Sequence, residues 1–256
     1  MKIGLIGCGN MARAMARGWG EPVLCFDPVD ERAEALARET GGEALDSSLL
    51  VAERAELLVL CHKPAQLKSV ADELAPAARA IASILAATPL ISLREAYPGI
   101  PVFRFLPSLP AEVRSGAIVM ALDSQARAAL EEGEDLHGEV QALFARLGAL
   151  VALEDSLVDV AMGLMSCAPA YVALVAEAQI DAGVRRGIPP AVASELVVET
   201  LAGTAELLRR RDFDTLAVRR EVTSPGGITA RGLAALEAGG IRAAFSDALD
   251  AVLAER

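Results

Sequence analysis

Lysine is nearly absent: Lys2, Lys63 and Lys68 are the only three in 256 residues. Histidine is as sparse, with His62 and His137 alone. Any chemistry in the C-terminal part must therefore work without lysine or histidine as a proton donor. Aromatics amount to 4% while hydrophobic residues reach 53%, which implies a core of alanine, leucine and valine and argues against disorder. The net charge of −11 speaks against nucleic acid as a partner, because a phosphate-binding surface needs clustered Lys and Arg. The four cysteines, Cys8, Cys25, Cys61 and Cys167, have no C-x-x-C spacing and no nearby histidine except His62. That pattern fits neither a zinc site nor a secreted disulfide scaffold; it reads as free thiols in a reducing compartment. No charged lead and apolar run precede the first strand-like residues, so no signal peptide is expected. The longest uncharged run, Val160 to Ala176, reaches the lower edge of a membrane span, but Gly163, Ser166 and Pro169 interrupt it. It reads as two buried helical pieces joined at a turn, and the protein as soluble and cytoplasmic, with no membrane partner.

What is present is organised in two parts, and the length suits two domains. Up to about residue 122, short apolar runs alternate with Ala/Arg/Glu segments of helical spacing. Lys2–Ile6, Val23–Phe26, Leu57–Cys61, Ile81–Ala86, Val102–Phe105 and Ala117–Ala121 are the strand candidates, nearly all apolar, as strands covered on both faces must be. Asp30–Glu39 and Gln66–Ala77 are helix candidates between them. A helix over about Glu134–Leu147 and a short strand, Leu150–Leu153, are expected to close this domain. The alternation predicts an α/β fold, a Rossmann-type doubly wound sheet with right-handed crossovers over residues 1–154.

From residue 155 to 256 no strand candidate follows, and an all-helical domain is expected. One helix runs from Ala168 or Pro169 to Arg186, with Pro at its start and Gly187 just past its end. Another starts near Pro190 and ends around the basic run Arg209–Arg211, whose charges suit a helix C-terminus. A Pro-Gly-Gly turn at 225–227 precedes a helix to about Ala238, and a last helix closes the chain. The helix from Pro190 is apolar on more than one face, with Val192, Leu196, Val197, Leu201, Leu207 and Leu208. Such a helix needs cover on several sides, so burial in a homodimer is expected.

The segment Gly4-Leu5-Ile6-Gly7-Cys8-Gly9-Asn10-Met11-Ala12 follows an apolar strand and opens a helix. Its G-x-G-x-x-A pattern is an accepted form of the dinucleotide fingerprint: Gly7 makes the tight turn, Gly9 admits the pyrophosphate and Ala12 permits close helix–strand packing. The pyrophosphate would sit on backbone N–H groups at the helix N-terminus. Asp27 stands twenty residues after Gly7, at the end of the second strand. A carboxylate there accepts hydrogen bonds from a ribose 2′-OH and repels a 2′-phosphate, which favours NADH over NADPH. The plainer alternative is an aspartate that starts a turn before the next helix.

Four stretches together resemble one family, pyrroline-5-carboxylate reductase. They are the Gly7–Ala12 turn; Cys61-His62-Lys63-Pro64-Ala65-Gln66; Pro169-Ala170-Tyr171 followed by Asp181 to Pro189; and Thr223-Ser224-Pro225-Gly226-Gly227-Ile228-Thr229, with Leu236 to Gly240 after it. The family's Met-Pro-Asn-Thr-Pro stands here as Leu106-Pro107-Ser108-Leu109-Pro110, its Gly-Ser-Gly-Pro-Ala-Tyr as Met165-Ser166-Cys167-Ala168-Pro169-Ala170-Tyr171, which loses the glycines, and His62 replaces a usually apolar residue. The resemblance implies NAD(P)H-dependent reduction of 1-pyrroline-5-carboxylate to L-proline in a homodimer or higher homo-oligomer. The active site would lie between the first domain of one subunit and helices at the dimer interface. It implies cofactor contacts from Gly7, Gly9, Asn10, Met11, Asp27, Lys63 and Pro64, substrate contacts from Ser224, Gly226, Gly227 and Thr229, and a hydrogen bond from Thr229 Oγ1 to the ring nitrogen.

The chemistry is consistent with this. Reducing a ketone needs a proton as well as a hydride, and the β-hydroxyacid dehydrogenases, with the same two-domain layout, use a lysine that the helical half here lacks. A cyclic imine can arrive already protonated, leaving the enzyme mainly to position the ring. Glycines 226 and 227 would offer backbone N–H groups at a helix start to the substrate carboxylate, although Ser-Pro-Gly-Gly is also an ordinary helix-entry turn. A solvated strand-end lysine is the alternative for Lys63, and a hydrogen-bonded structural role for His62. Tyr171 reads as core or interface, and His137 and Arg209–Arg211 as solvated surface. Two other functions stay open: reduction of another cyclic imine, and a regulatory dinucleotide-binding protein without catalysis. Turnover, or binding without turnover, separates them.

Overall fold

The computed structural model describes residues 1–133 and 135–254. The chain divides into two compact units, one from Met1 to Pro169 and one from Ala170 onward.

In the first unit, β1 (Ile3–Ile6), β2 (Leu24–Phe26), β3 (Glu43–Ala44), β4 (Leu57–Leu60), β5 (Ile81–Ser83), β6 (Val102–Pro107), β7 (Gly116–Leu122) and β8 (Gly148–Glu154) form one sheet in the order β3-β2-β1-β4-β5-β6-β7-β8. All neighbours are parallel except β6 and β7. Strand order reverses at β1, which pairs with β2 on one side and β4 on the other. The apolar runs are strands for the expected reason: successive side chains point to opposite faces, and both faces are covered. Ile3, Leu5, Leu57 and Val59 join one core cluster, while Ile6, Leu58 and Leu60 join the other.

Helices α1 (Asn10–Trp19) and α2 (Asp30–Thr40) pack on the first cluster. On the second pack α3 (Ser48–Arg54), α4 (Leu67–Leu74) and α5 (Leu90–Ala96). After β7 come α6 (Ser124–Glu131) and α7 (Asp135–Ala145), and α7 returns to the first cluster through Val140, Leu143 and Phe144. The expected start of α7 at Glu134 lies outside the described residues. The single tryptophan anchors this face: Trp19 is fully buried, its Nε1 donates to the Leu143 carbonyl at 3.0 Å, and its ring meets Phe144 edge-on. Phe144 in turn stacks on Phe105 with centroids 3.7 Å apart.

After β8 the chain stays helical from Asp155 to Val184, with a bend at Cys167. It comprises a 3-10 turn at Asp155–Leu157, α8 (Val158–Ala161), a π turn at Met162–Ser166 and α9 (Ala168–Val184). The expected break falls at Cys167, just before Pro169. Burial of both pieces, however, is not observed: Val158 and Ala161 of α8 are buried, but no residue of α9 is. By length and composition this segment could cross a membrane. The division into polar and apolar faces that marks a surface helix is missing from α9.

The second unit continues with α10 (Pro190–Arg209), α11 (Thr215–Glu221), α12 (Ile228–Ala238) and α13 (Ile241–Ala254). Asp214 caps α11 by accepting from the N–H groups of Leu216 and Ala217. Ala193 and Val218 are its only buried residues among those described. Arg209 and Arg210 pair with Glu206, and Arg211 with Glu221, all on the surface as expected. His137 departs from the surface role: it is half-buried, its ring 4.7 Å from that of Phe103.

Candidate functional site

The glycine-rich turn leaves the C-terminal end of β1 at the point where strand order reverses, the crevice in which open α/β sheets hold ligands. Gly7 has φ +99°, and a Cβ there would lie 2.9 Å from the carbonyl of Cys61. Conformation and close approach to β4 thus both demand glycine. A Cβ on Gly9 would meet nothing within 4 Å, so the backbone faces open space. Gly9 is the N-cap of α1, no side chain caps that helix, and no acidic residue sits in its first turn. Its first N–H groups are therefore left for an anion. Asn10 is exposed, Met11 half-buried, and Ala12 buried against the sheet. These features fit a dinucleotide diphosphate.

Asp27 follows β2, as its spacing predicted, and does more than expected. It is only 6% exposed; Oδ2 accepts from the Cys8 N–H at 2.8 Å and Oδ1 from the Val29 N–H at 2.9 Å. The carboxylate therefore starts the next loop, the plainer of its two expected roles, and also braces the glycine turn, which the sequence did not suggest. Each oxygen keeps a second lone pair for another donor. Arg32, largely exposed, approaches Oδ1 at 4.0 Å.

Across the turn from Asp27, β4 ends and the His62-Lys63-Pro64 segment begins. Lys63 and Pro64 are exposed, and Pro64–Gln66 forms a 3-10 turn into α4. The Gln66 side chain accepts from the Lys63 N–H at 3.2 Å, which fixes the turn. His62 is half-buried; its Nδ1 lies 2.9 Å from the Lys63 carbonyl, and its Nε2 is buried without a partner among the described residues. Burial pushes the imidazole pKa below its ordinary value, only partly offset by the bond to Lys63.

Three of the four thiols also gather here, which their spacing concealed. Cys25 Sγ donates to the carbonyls of Ala33 at 3.4 Å and Glu43 at 3.7 Å, and Cys8 lies near enough to both Cys25 and Cys61 to feel them electrostatically. Contact with Cys25, then burial, raises the Cys8 pKa, and burial raises that of Cys61. All four cysteines are free.

The sequence reading missed Arg104, although a charge inside the apolar strand Val102–Pro107 was a signal. Arg104 is 2% exposed and holds Asp155 and Asp159, each at 2.7 Å. Asp155 also accepts from the Leu90 N–H at 2.9 Å, so one buried cluster ties β6, α5 and the start of α8 together. Ser108, in the stretch that departs from the family pattern, is buried too; its Oγ accepts from the Ala117 N–H and so fastens β6 to β7.

In the second unit the Ser224–Thr229 turn enters α12. Gly226 has φ +67°, and a Cβ on Gly227 would lie 2.2 Å from Ser224 Oγ, so the turn closes only with glycine. Gly227 is the N-cap, with no capping side chain and no acidic residue in the first turn. Ser224, Gly226 and Thr229 are exposed and Gly227 is half-buried. The expected substrate residues thus share one short turn whose helix start is uncapped.

Residues 155–256 match the family described as pyrroline-5-carboxylate reductase dimerisation. Residues 2–87 match the description NADP oxidoreductase, coenzyme F420-dependent. Pyrroline-5-carboxylate reductase from Thermus thermophilus is 37% identical over 258 residues, 98% of this chain and 95% of that protein. The chain belongs to the pyrroline-5-carboxylate reductase family. Among solved structures, the 1-pyrroline-5-carboxylate reductase of Streptococcus pyogenes superposes with a TM-score of 0.87 at 27% identity, covering 100% of this chain and 97% of that one. The Plasmodium falciparum pyrroline carboxylate reductase, solved with NADP bound, shares the fold at a TM-score of 0.85 and 24% identity, covering 100% and 96%. As a pyrroline-5-carboxylate reductase, the chain is a nicotinamide-dependent oxidoreductase, and its helical part corresponds to the family's dimerisation domain.

Proposed function

We propose that the chain reduces 1-pyrroline-5-carboxylate to L-proline with NADH as the favoured reductant, as a cytoplasmic homodimer. Residues 1–154 form the dinucleotide domain in this reading, and 155–256 the substrate and dimerisation domain. The observation that carries it is the Ser224–Thr229 turn: exposed, built on two glycines and opening an eleven-residue helix with no side-chain cap. Backbone N–H groups from Gly227 onward hold the substrate carboxylate, helped by the positive end of the α12 dipole. Ser224 lines the turn, and Thr229 Oγ1 hydrogen-bonds the ring nitrogen, which fixes the ring without supplying its proton. The imine brings that proton, in keeping with the absence of lysine beyond Lys68 and of histidine beyond His137. Bound dinucleotide supplies the hydride. Gly7, Gly9, Asn10 and Met11 receive its diphosphate at the start of α1, Lys63 and Pro64 line the β4 side, and Asp27 disfavours a 2′-phosphate by charge. A partner subunit, rather than lipid, covers α9 and α10.

The test is the loss of reduced-nicotinamide absorbance when purified protein meets 1-pyrroline-5-carboxylate with NADH, then with NADPH. Turnover faster with NADH is the expected result. Faster turnover with NADPH would remove the role given to Asp27 and leave the reductase standing. Dinucleotide binding without turnover on this or any related cyclic imine would favour the non-catalytic reading.

A further inference from the structure

We propose that Arg32 sets how sharply the site discriminates between the two nicotinamide dinucleotides, its guanidinium receiving the adenosine 2′-phosphate that Asp27 repels. This rests on the cofactor reading above and concerns the adenosine end of the same ligand. A chain of hydrogen bonds places Arg32 there. The Cys8 N–H of the glycine turn donates to Asp27 Oδ2 at 2.8 Å, and the Val29 N–H donates to Asp27 Oδ1 at 2.9 Å. The Arg32 N–H then donates to the Val29 carbonyl at 2.9 Å. The glycine turn, the end of β2 and the first turn of α2 are thus tied together in sequence. Ala33 packs into the core cluster that covers this face of the sheet, whereas Arg32 stays exposed.

The side chain is free to take a ligand. It is 62% exposed, and its Nη1 lies 4.0 Å from Asp27 Oδ1. That separation exceeds hydrogen-bond length, so the guanidinium stands beside Asp27 without being fixed by it. The charge around it makes its presence matter. From Asp27 to Glu34 the chain carries four carboxylates, Asp27, Asp30, Glu31 and Glu34, and Arg32 is the one cation. Without it, a 2′-phosphate at this end of the site would meet only negative charge. With it, the phosphate oxygens find a planar fork of N–H donors of opposite charge. A ribose 2′-OH needs no such help, because it donates to the Asp27 carboxylate and adds no charge. The preference for NADH is therefore graded, and Arg32 holds it short of exclusion.

Arg32→Gln keeps length and polarity and loses the charge; Arg32→Lys keeps the charge. Dissociation constants for NADH, NADPH, adenosine 5′-monophosphate and adenosine 2′,5′-bisphosphate are measured by calorimetry without substrate, at low and at high salt. The last two ligands differ only in the 2′-phosphate. Arg32→Gln should weaken NADPH and the bisphosphate about tenfold and leave NADH and the monophosphate within about twofold, the scale of one charge-assisted contact. Arg32→Lys should recover most of that loss, and high salt should narrow the gap between the unmodified protein and Arg32→Gln. Thermal unfolding should not change, because an exposed ion pair of this length contributes little to stability. The inference is overturned if Arg32→Gln weakens all four ligands alike, if it leaves NADPH and the bisphosphate untouched, or if Arg32→Lys loses as much as Arg32→Gln. It is overturned as well if the unmodified protein binds NADH and shows no binding of NADPH. Failure to bind either dinucleotide would instead undo the proposed function itself.

Discussion

The two units obey opposite rules of burial. In the first, β1, β4, β5 and β6 are buried at every position, and two apolar clusters cover the faces of one sheet. In the second, α9, α12 and α13 have no buried residue, and Leu174, Leu196, Val198, Phe213 and Ile228 are all more than half exposed. The apolar content is not the difference; what each can cover within one chain is. A twisted sheet with helices on both faces closes on itself, whereas a few helices with several apolar faces cannot. The first unit therefore has its core in one chain, and the second needs a further surface to finish its own.

The contrast should be sharpest when each unit is damaged at its own weak point. Trp19→Ala removes the largest fully buried side chain, its bond to Leu143 and its edge contact with Phe144. A loss of about 3–5 kcal/mol in chemical denaturation of the first unit is expected, and a loss below about 1 kcal/mol would show that the face repacks. Leu196→Asp, at a position 56% exposed in the chain, should leave far-ultraviolet circular dichroism unchanged but convert dimer to monomer in sedimentation. An unaltered dimer would mean that this face of α10 is not the interface. Smallest is Thr229→Val, which should lower kcat/KM about tenfold, the scale of one hydrogen bond made to the reacting ring, without moving the melting temperature. An equal fall in stability would make Thr229 structural.

How far the residues disclosed these outcomes depended on whether each signal was local. Apolar runs fix β1 and β4 because both faces of a covered strand must be apolar, and the Gly7–Ala12 turn declares itself through spacing alone. β3 escapes notice because it has two residues, Glu43 and Ala44, neither buried. Helices α3 and α11 also escape notice: at seven residues each they show little periodicity, and only the caps of Ser47 and Asp214 mark their starts. Contacts across the sheet are another matter. Arg104 meets its carboxylates 51 and 55 residues later, and the thiols of Cys8, Cys25 and Cys61 meet only because β1, β2 and β4 are neighbours. The glycine turn that opens α12 was readable; the bond from the Cys8 N–H to Asp27 was not.

The bond from Trp19 to Leu143 spans 124 residues. It joins α1 to α7, and Phe144 beside it fills the space between Trp19 and Phe105. During synthesis the first strands and α1 leave the ribosome long before α7 exists. Until then one face of the growing sheet keeps an uncovered indole and an uncovered phenylalanine. The glycine turn is thus made well before the face behind its helix can be sealed. Nascent chains stalled short of residue 144 would be the form in which this protein is most exposed to wrong partners.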